Sequence, residues 1–289
     1  MKVFFIGSSG PLSTLPLEWL LGSSHELSGI GTSQGILAGQ AEGSMPAVIG
    51  VNSNPLAAVA NDYGIPLLDL RLERLQLLVE QIAALRPDLL LVSCYAGKLP
   101  DELLQQATYG GINCHPSLLP AYRGPVPIFW QYRDGVDPLG VSLHCINQQW
   151  DAGDVIASRK VVVTNGQSAA QVEQELAAAF SRLLDETLDV FPDGITRHVQ
   201  NSAHASYFGY PEGDDFAIDT NWTARRAFNF MRATEHWGRA YPVMANGRAY
   251  ALKHALAWAN SEDGVGLMEK QGVVRIKLNP GVLAASYYH

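Results

Sequence analysis

The run GGINCH at residues 110–115 is a short apolar segment that ends at Pro116. It predicts a β-strand, and because proline has no N–H to donate, Pro116 ends the strand's hydrogen-bond ladder. Side chains alternate between the two faces of a strand, so Asn113 and His115 point to one face and Cys114 to the other. Ligands of open parallel sheets bind at the carboxyl ends of the strands. We therefore expect an amide and an imidazole beside each other at a ligand site.

A second predicted strand, GVSLHCI at residues 140–146, leads into a loop that carries Asp151 and Asp154. If the two strands are neighbours, this loop brings a carboxylate to Asn113 and His115. A carboxamide can donate to a developing oxyanion, an imidazole can donate or take a proton, and a carboxylate can stabilise an imidazolium. Together these groups suit acyl transfer to a nucleophile that the substrate supplies. An isolated N-x-H pattern is more often a polar strand end with a capped histidine.

The longer string points to a family. From Asn113 the chain reads N-x-H-P-S-L-L-P-x-Y-R-G, then G-V-S-L-H, then D-A-G-D ending at Asp154. This combination resembles the signature of the 10-formyltetrahydrofolate-dependent formyltransferases, which include methionyl-tRNA formyltransferase, amino-sugar N-formyltransferases and glycinamide ribonucleotide formyltransferase. The resemblance covers the first two thirds of the chain and is loose after about Tyr207. It implies that Asn113, His115 and Asp151 are catalytic and that 10-formyltetrahydrofolate is the co-substrate, with no metal required.

The same resemblance implies where the folate and the acceptor bind. The turn after the predicted strand LLLVSCYA, residues 89–96, lines the pterin pocket of the family, chiefly with backbone groups. The predicted cofactor-binding residues are Cys94, Tyr95, Ala96, Gly97, Ile146 and Asp154. Tyr122 and Arg123 lie inside the matching string, where an aromatic ring and a guanidinium could hold an anionic acceptor. Three nearby residues are interpreted as structural or solvated instead: Lys98, His144 and Trp150.

Length and composition favour a large domain followed by a small one. The chain has 289 residues, of which 47% are hydrophobic, enough for a sizeable core. We expect a Rossmann-like α/β catalytic domain with a mostly parallel sheet at residues 1–205. A small β-rich domain should follow at residues 206–289, which by resemblance is a shortened form of the OB-like C-terminal domain of the family. The glycine turn after the first predicted strand, VFFIG, lacks G-x-G-x-x-G spacing and is interpreted as a tight turn.

The remaining elements follow from hydrophobic periodicity and end signals. Helices are predicted at residues 15–21, 55–63, 72–85, 128–133, 168–190 and 223–233. Further strands are predicted from residue 27 and at residues 46–51, 248–259, 264–270 and 272–278, and a linker at residues 206–220.

Cysteine usage and hydropathy bear on the cellular setting. Cys94, Cys114 and Cys145 lack the spacing of a disulfide framework or a metal site, which favours reduced thiols in a cytoplasmic protein. The sequence contains no apolar run of about 18 residues, so no membrane contact is expected. It gives no indication of the oligomeric state.

The charge distribution bears on the formyl acceptor. Residues 1–220 carry 11 Lys and Arg against 24 Asp and Glu, whereas residues 221–289 carry 9 against 4. Between Ile30 and Leu70, where by resemblance the tRNA-acting members carry a basic loop, the chain has no basic residue at all. A polyanion is therefore disfavoured, and we expect transfer of a formyl group to a primary amine of a small acceptor such as an amino sugar.

Three alternatives remain open at this point. Methionyl-tRNA formylation is favoured by the basic C-terminal part and disfavoured by the missing loop. A formyltetrahydrofolate hydrolase could use the same three residues with water as nucleophile. A non-catalytic folate-binding protein would not need all of Asn113, His115 and Asp151.

Overall fold

The computed structural model describes residues 1–33, 54–245, 247–261 and 272–288. These residues form two compact units. The first comprises Met1–Pro125, Leu139–Val161 and Glu173–Tyr207, and the second Val126–Pro138, Val162–Val172 and Phe208–His289. The predicted boundary between residues 205 and 206 falls just before the last of these segments. The strands predicted at residues 46–51 and 264–270 lie outside the described residues.

The described strands are β1 (Lys2–Gly7), β2 (Glu26–Thr32), β3 (Leu67–Asp69), β4 (Leu89–Ser93), β5 (Gly111–His115), β6 (Leu139–Cys145), β7 (Val155–Val161), β8 (Tyr241–Ala245), β9 (Arg248–Ala259), β10 (Val273–Lys277) and β11 (Val282–Tyr287). The described α-helices are α1 (Pro11–Gly22), α2 (Pro55–Tyr63), α3 (Leu75–Leu85), α4 (Asp101–Leu104), α5 (Pro127–Asp134), α6 (Ala169–Leu188) and α7 (Ala224–Thr234). Short 3-10 turns precede α3, follow α7 and lie at residues 202–204 and 213–216.

The first unit is built on a seven-stranded sheet with the order β3-β2-β1-β4-β5-β6-β7. The strands from β3 to β5 pair in parallel, whereas β6 is antiparallel to both β5 and β7. The expectation of a Rossmann-like, mostly parallel sheet is therefore confirmed. Its antiparallel edge was not predicted.

The central strands are apolar because both of their faces are covered. All four side chains of Val3–Ile6 in β1 and every residue of β4 are buried. Helix α2 begins as its sequence predicts, with Pro55 at the first position and Asn54 Oδ1 accepting from the Leu56 amide at 3.0 Å. Helix α6 places a long apolar face in the core, including Leu176, Phe180 and Leu184.

The second unit contains a four-stranded antiparallel sheet with the order β10-β11-β9-β8. Helix α7 contacts β9 and β11. An aromatic cluster lies in the core of this unit. The cluster includes Phe129, Phe216, Trp222, Phe230 and Tyr241. The expected small β-rich domain is thus present. The sequence did not predict β8 and β11, and in the first unit it did not predict β3, β7 or α4.

No helix in the described part of the chain is long and apolar enough to cross a membrane.

Candidate active site

Asn113 and His144 lie opposite each other on neighbouring strands. The antiparallel register of β5 and β6 pairs Asn113 with His144 and His115 with Ser142. The Asn113 side chain lies 3.0 Å from Nε2 of His144, and Nδ1 of His144 lies 2.8 Å from the Cys145 carbonyl oxygen. Since the carbonyl can only accept, Nδ1 donates to it, and Nε2 faces both the Asn113 amide and the Asp151 carboxylate. His144 was interpreted as a satisfied structural histidine, yet it contacts the predicted site directly.

His115 is almost completely buried, with 4% of its surface exposed. Its Nε2 donates to the Tyr122 carbonyl oxygen at 2.8 Å, and its Nδ1 lies 3.7 Å from Oδ1 of Asp151. Burial lowers the pKa of His115 below its ordinary value, although the Asp151 carboxylate acts in the opposite direction. The ring is therefore neutral near pH 7, with the Nδ1 lone pair turned toward the carboxylate.

Asp151 is held by contacts from three directions. Its Oδ2 accepts from the Gly124 amide at 2.8 Å, and its Oδ1 lies 3.6 Å from Nε2 of His144. Burial alone would raise the pKa of Asp151, but the neighbouring His144, then His115 and the Gly124 amide, outweigh it and lower the pKa to about 2. The carboxylate is thus ionised at every pH at which the protein is expected to work.

The Asp151 loop reaches His115 by folding back over the sheet. Because β6 is antiparallel to β5, Cys145 at the end of β6 lies beside Ile112, away from the carboxyl end of β5. The loop must therefore return over the sheet toward His115, and it turns sharply at Asp151, whose φ of 51° is left-handed. Gly153 permits the close return, since a Cβ on it would lie 1.8 Å from the Cys145 carbonyl oxygen.

A cleft opens beside these side chains. Asn113, His144 and Asp151 line it as one cluster, in which His144 contacts both of the others, and Val92, Leu99 and Ile146 supply apolar surface. The remaining lining residues are Tyr95, Gly97, Lys98, Asn147, Gln149 and Trp150. A cleft lined by both apolar side chains and a cluster of polar ones suits a flat heterocycle that carries a reactive group.

The structure places only part of the predicted folate site in this cleft. Tyr95, Gly97 and Ile146 line it, as do Lys98 and Trp150, which were interpreted as solvated and packing residues. Among the described residues that line it, Cys94, Ala96 and Asp154 do not appear. The Cys94 thiol is hydrogen-bonded to Ser8, and its surroundings, largely removed from water, raise its pKa to about 11. The binding roles of all six predicted residues stay predictions.

Tyr122 and Arg123 lie next to the candidate site, and both form hydrogen bonds with other residues of the protein. The Tyr122 carbonyl oxygen accepts from His115, and Nε and Nη2 of Arg123 donate to Oε1 of Gln200 at 3.1 and 2.7 Å. A contact of Tyr122 or Arg123 with an acceptor stays a prediction. In the described ranges, no group of three or more His, Cys, Asp and Glu side chains is arranged to hold a metal ion.

An α/β fold in which an amide, an imidazole and a carboxylate line one cleft, with a second imidazole beside the carboxylate, is suited to a group-transfer enzyme. Residues 45–188 match the family model described as "Formyl transferase". Methionyl-tRNA formyltransferase of a Sulfurihydrogenibium species is 30% identical over 98% of this chain and 90% of its own length. That of Roseiflexus castenholzii is 33% identical over 82% of this chain and 74% of its own length. The chain belongs to the formyltransferase family, and it is a one-carbon group transferase.

Solved structures share the fold. An N-formyltransferase from Helicobacter canadensis, crystallised with folinic acid and dTDP-3-aminofucose, has a TM-score of 0.68 and 16% identity, with all of both chains covered. The sugar 3N-formyltransferase WlaRD has a TM-score of 0.65 and 14% identity over 99% of this chain and 97% of that chain. Methionyl-tRNA formyltransferase from Clostridium thermocellum has a TM-score of 0.59 and 11% identity over 100% of this chain and 99% of that chain.

Proposed function

We propose that the protein transfers a formyl group from 10-formyltetrahydrofolate to a primary amine of a small acceptor, with Asn113, His115 and Asp151 as the catalytic residues. The observation that carries the proposal is that Asn113 and Asp151 line the cleft and that Oδ1 of Asp151 lies 3.7 Å from Nδ1 of the buried His115. When bound, 10-formyltetrahydrofolate supplies an electrophilic formyl carbon. The mixed apolar and polar lining of the cleft suits its pterin.

Each side chain has a role that its contacts support. The Asn113 amide can donate to the formyl oxygen as that oxygen gains negative charge. Nδ1 is the ring nitrogen of His115 that can accept a proton, because Nε2 donates to the Tyr122 carbonyl oxygen. Nδ1 and the Asp151 carboxylate are both proton acceptors, and together they can take the proton that the amine loses as its nitrogen bonds to the formyl carbon. The protonated imidazole, stabilised by Asp151, can then return this proton to the folate nitrogen, which leaves as its bond to the formyl carbon breaks.

The acceptor is inferred from charge and from related proteins. The absence of basic residues between Ile30 and Leu70 disfavours a polyanion, and two of the proteins that share the fold are a sugar N-formyltransferase and an N-formyltransferase crystallised with an amino-sugar nucleotide. We therefore favour an amino sugar. Methionyl-tRNA is the second candidate, because the curated relatives with 30% and 33% identity are methionyl-tRNA formyltransferases.

One assay separates the possibilities. The protein is incubated with 10-formyltetrahydrofolate and with nucleotide-linked amino sugars, methionyl-tRNA or buffer alone, and release of tetrahydrofolate is followed. Release that requires an amino sugar supports the proposal, and release with methionyl-tRNA supports the second candidate. Equal release in buffer alone would identify a hydrolase, and binding of folate without release under any condition would identify a non-catalytic binding protein.

A further inference from the structure

A single glutamine from outside the matching string holds the Asp151 turn. Nε2 of Gln200 donates to the carbonyl oxygens of Asp151 and Gly153 at 2.8 and 2.7 Å. Its Oε1 accepts from Nε and Nη2 of Arg123 at 3.1 and 2.7 Å. Both amide hydrogens and both oxygen lone pairs are therefore used. Since a guanidinium only donates and a carbonyl only accepts, these partners allow only one orientation of the amide.

The Asp151 turn needs such a partner. The φ of 51° at Asp151 is unfavourable for a residue with a Cβ and persists only where surrounding contacts impose it. Gln200 binds the carbonyl oxygen of Asp151 itself and that of Gly153, on either side of the reversal. The position of the carboxylate therefore depends on where Gln200 is held.

Arg123, which binds the oxygen of the Gln200 side chain, lies in sequence between the two backbone groups that hold His115 and Asp151. The preceding carbonyl, of Tyr122, accepts from His115, and the following amide, of Gly124, donates to Asp151. Arg123 and Gln200 thus connect the loop after β5 with the loop before β7. The same two loops are therefore linked twice, once through Arg123 and Gln200 and once through the contact between His115 and Asp151.

The backbone around Gln200 is fixed to the same two loops. His198 and Val155 exchange both backbone hydrogen bonds at 2.9 Å, next to the Asp151 loop. Ser206 accepts from the Tyr122 amide through its hydroxyl at 2.8 Å and from the Arg123 amide through its carbonyl oxygen at 2.9 Å. The 198–206 segment is therefore attached at both ends to the parts of the site that Gln200 connects.

We propose that Gln200 is a positioning residue, which sets the placement of the Asp151 carboxylate against His115 by bridging Arg123 to the Asp151 turn. Its kinetic consequence rests on the proposed function, whereas the placement itself does not. The charged and titratable groups that face His115 are Asp151, His144 and Arg123. Of these, only Asp151 raises the pKa of His115, so retreat of Asp151 should lower that pKa further.

Two substitutions test the bridge. Gln200→Met keeps the size of the side chain and removes all four hydrogen bonds, whereas Gln200→Glu keeps the acceptor for Arg123 and removes both donors to the Asp151 turn. We expect kcat to fall at least about tenfold in both, with the KM for 10-formyltetrahydrofolate changed less than about twofold. Gln106→Met is the matched control, because the Gln106 side chain donates to the Glu102 carbonyl oxygen on α4, outside the site.

A titration independent of turnover completes the experiment. The protein is labelled with ¹³C-histidine, and the pH midpoint of the His115 titration is measured by NMR. The measurement is made on the wild type, Gln200→Met and Gln106→Met, and circular dichroism checks that each is folded. The midpoint should move to lower pH in Gln200→Met alone. An unchanged midpoint in folded Gln200→Met, or wild-type kcat in Gln200→Glu, overturns the positioning role. Failure of the wild type to transfer formyl groups overturns the proposed function instead, and the midpoint still decides the role of Gln200.

Discussion

Nδ1 of His115 lies 3.7 Å from Oδ1 of Asp151, and neither atom donates a hydrogen to the other while the imidazole is neutral. This arrangement leaves two proton acceptors facing each other, and one of them, Asp151, lines the cleft. It is suited to receive a proton, and a histidine that was already charged could not do so.

Replacement of His115 should remove this acceptor pair. We expect His115→Ala to lower kcat for formyl transfer by about a hundredfold to ten-thousandfold, the usual contribution of a general base. Because His115 is only 4% exposed, its removal also leaves a cavity, so the melting temperature must be measured beside the rate. His115→Gln, which fills more of the space, should be as inactive as His115→Ala and should have a higher melting temperature than that variant. Turnover close to wild type in either folded variant would exclude the catalytic role.

Replacement of Asp151 should change both the rate and its pH dependence. Asp151 raises the pKa of His115, which burial lowers, so the acid limb of kcat/KM lies below the ordinary histidine value of 6.5 and moves to still lower pH in Asp151→Asn. The plateau should fall by about a hundredfold or more. Asp193→Asn, at an exposed carboxylate, is the control. An acid limb at the same pH in Asp151→Asn would contradict the coupling.

The same carboxylate should contribute to stability in one pH range. The pKa of Asp151 falls from 3.8 to about 2 on folding, so its contribution is present above about pH 4 and is lost as the pH falls toward 2. The difference in melting temperature between wild type and Asp151→Asn should therefore be largest above pH 4 and shrink below it. A constant difference from pH 6 to pH 3 would show that the charge of Asp151 is not the cause.

Gly153 should be required for the Asp151 turn. A Cβ at this position meets a backbone oxygen, which cannot rotate away, so Gly153→Ala must displace the turn and with it the carboxylate. Displacement by about 1 Å can cost about a hundredfold in rate. Gly209→Ala, where a Cβ meets nothing within 4 Å, is the control. Equal kcat values for the two variants would refute the requirement.

The exposed ring of Trp150 should contribute to folate binding. Trp150 lines the cleft and is 45% exposed, so Trp150→Ala should cost little stability. Loss of an aromatic contact should weaken binding of a stable folate analogue by about threefold to tenfold, seen as a smaller rise in melting temperature at a fixed analogue concentration. Tyr63→Ala, at a 64% exposed aromatic outside the cleft, should respond like the wild type.

Local patterns predicted the parts of the site that depend on neighbouring residues. The alternation of a strand correctly placed Asn113 and His115 on one face, and D-A-G-D indicated a turn that carries a carboxylate. The pairing of His144 with Asn113 depends on the register of an antiparallel strand, which the sequence of β6 alone does not specify. Gln200 lies 49 residues from Asp151 and belongs to no helix or strand, so no periodicity could have connected the two.

The formyl acceptor gives the last prediction. Affinity for tRNA depends on the Lys and Arg side chains that meet its phosphates, and the chain has none between Ile30 and Leu70. Nine basic residues after residue 220 form a weak surface for a polyanion but are enough for the phosphates of one sugar nucleotide. We expect tRNA to bind no more tightly than about micromolar at physiological salt, with affinity that falls steeply across a salt series. Transfer to an amino-sugar nucleotide should be faster than to methionyl-tRNA under the same conditions. Tight tRNA binding at physiological salt, together with methionyl-tRNA formylation that no small amine matches in rate, would reverse the choice of acceptor.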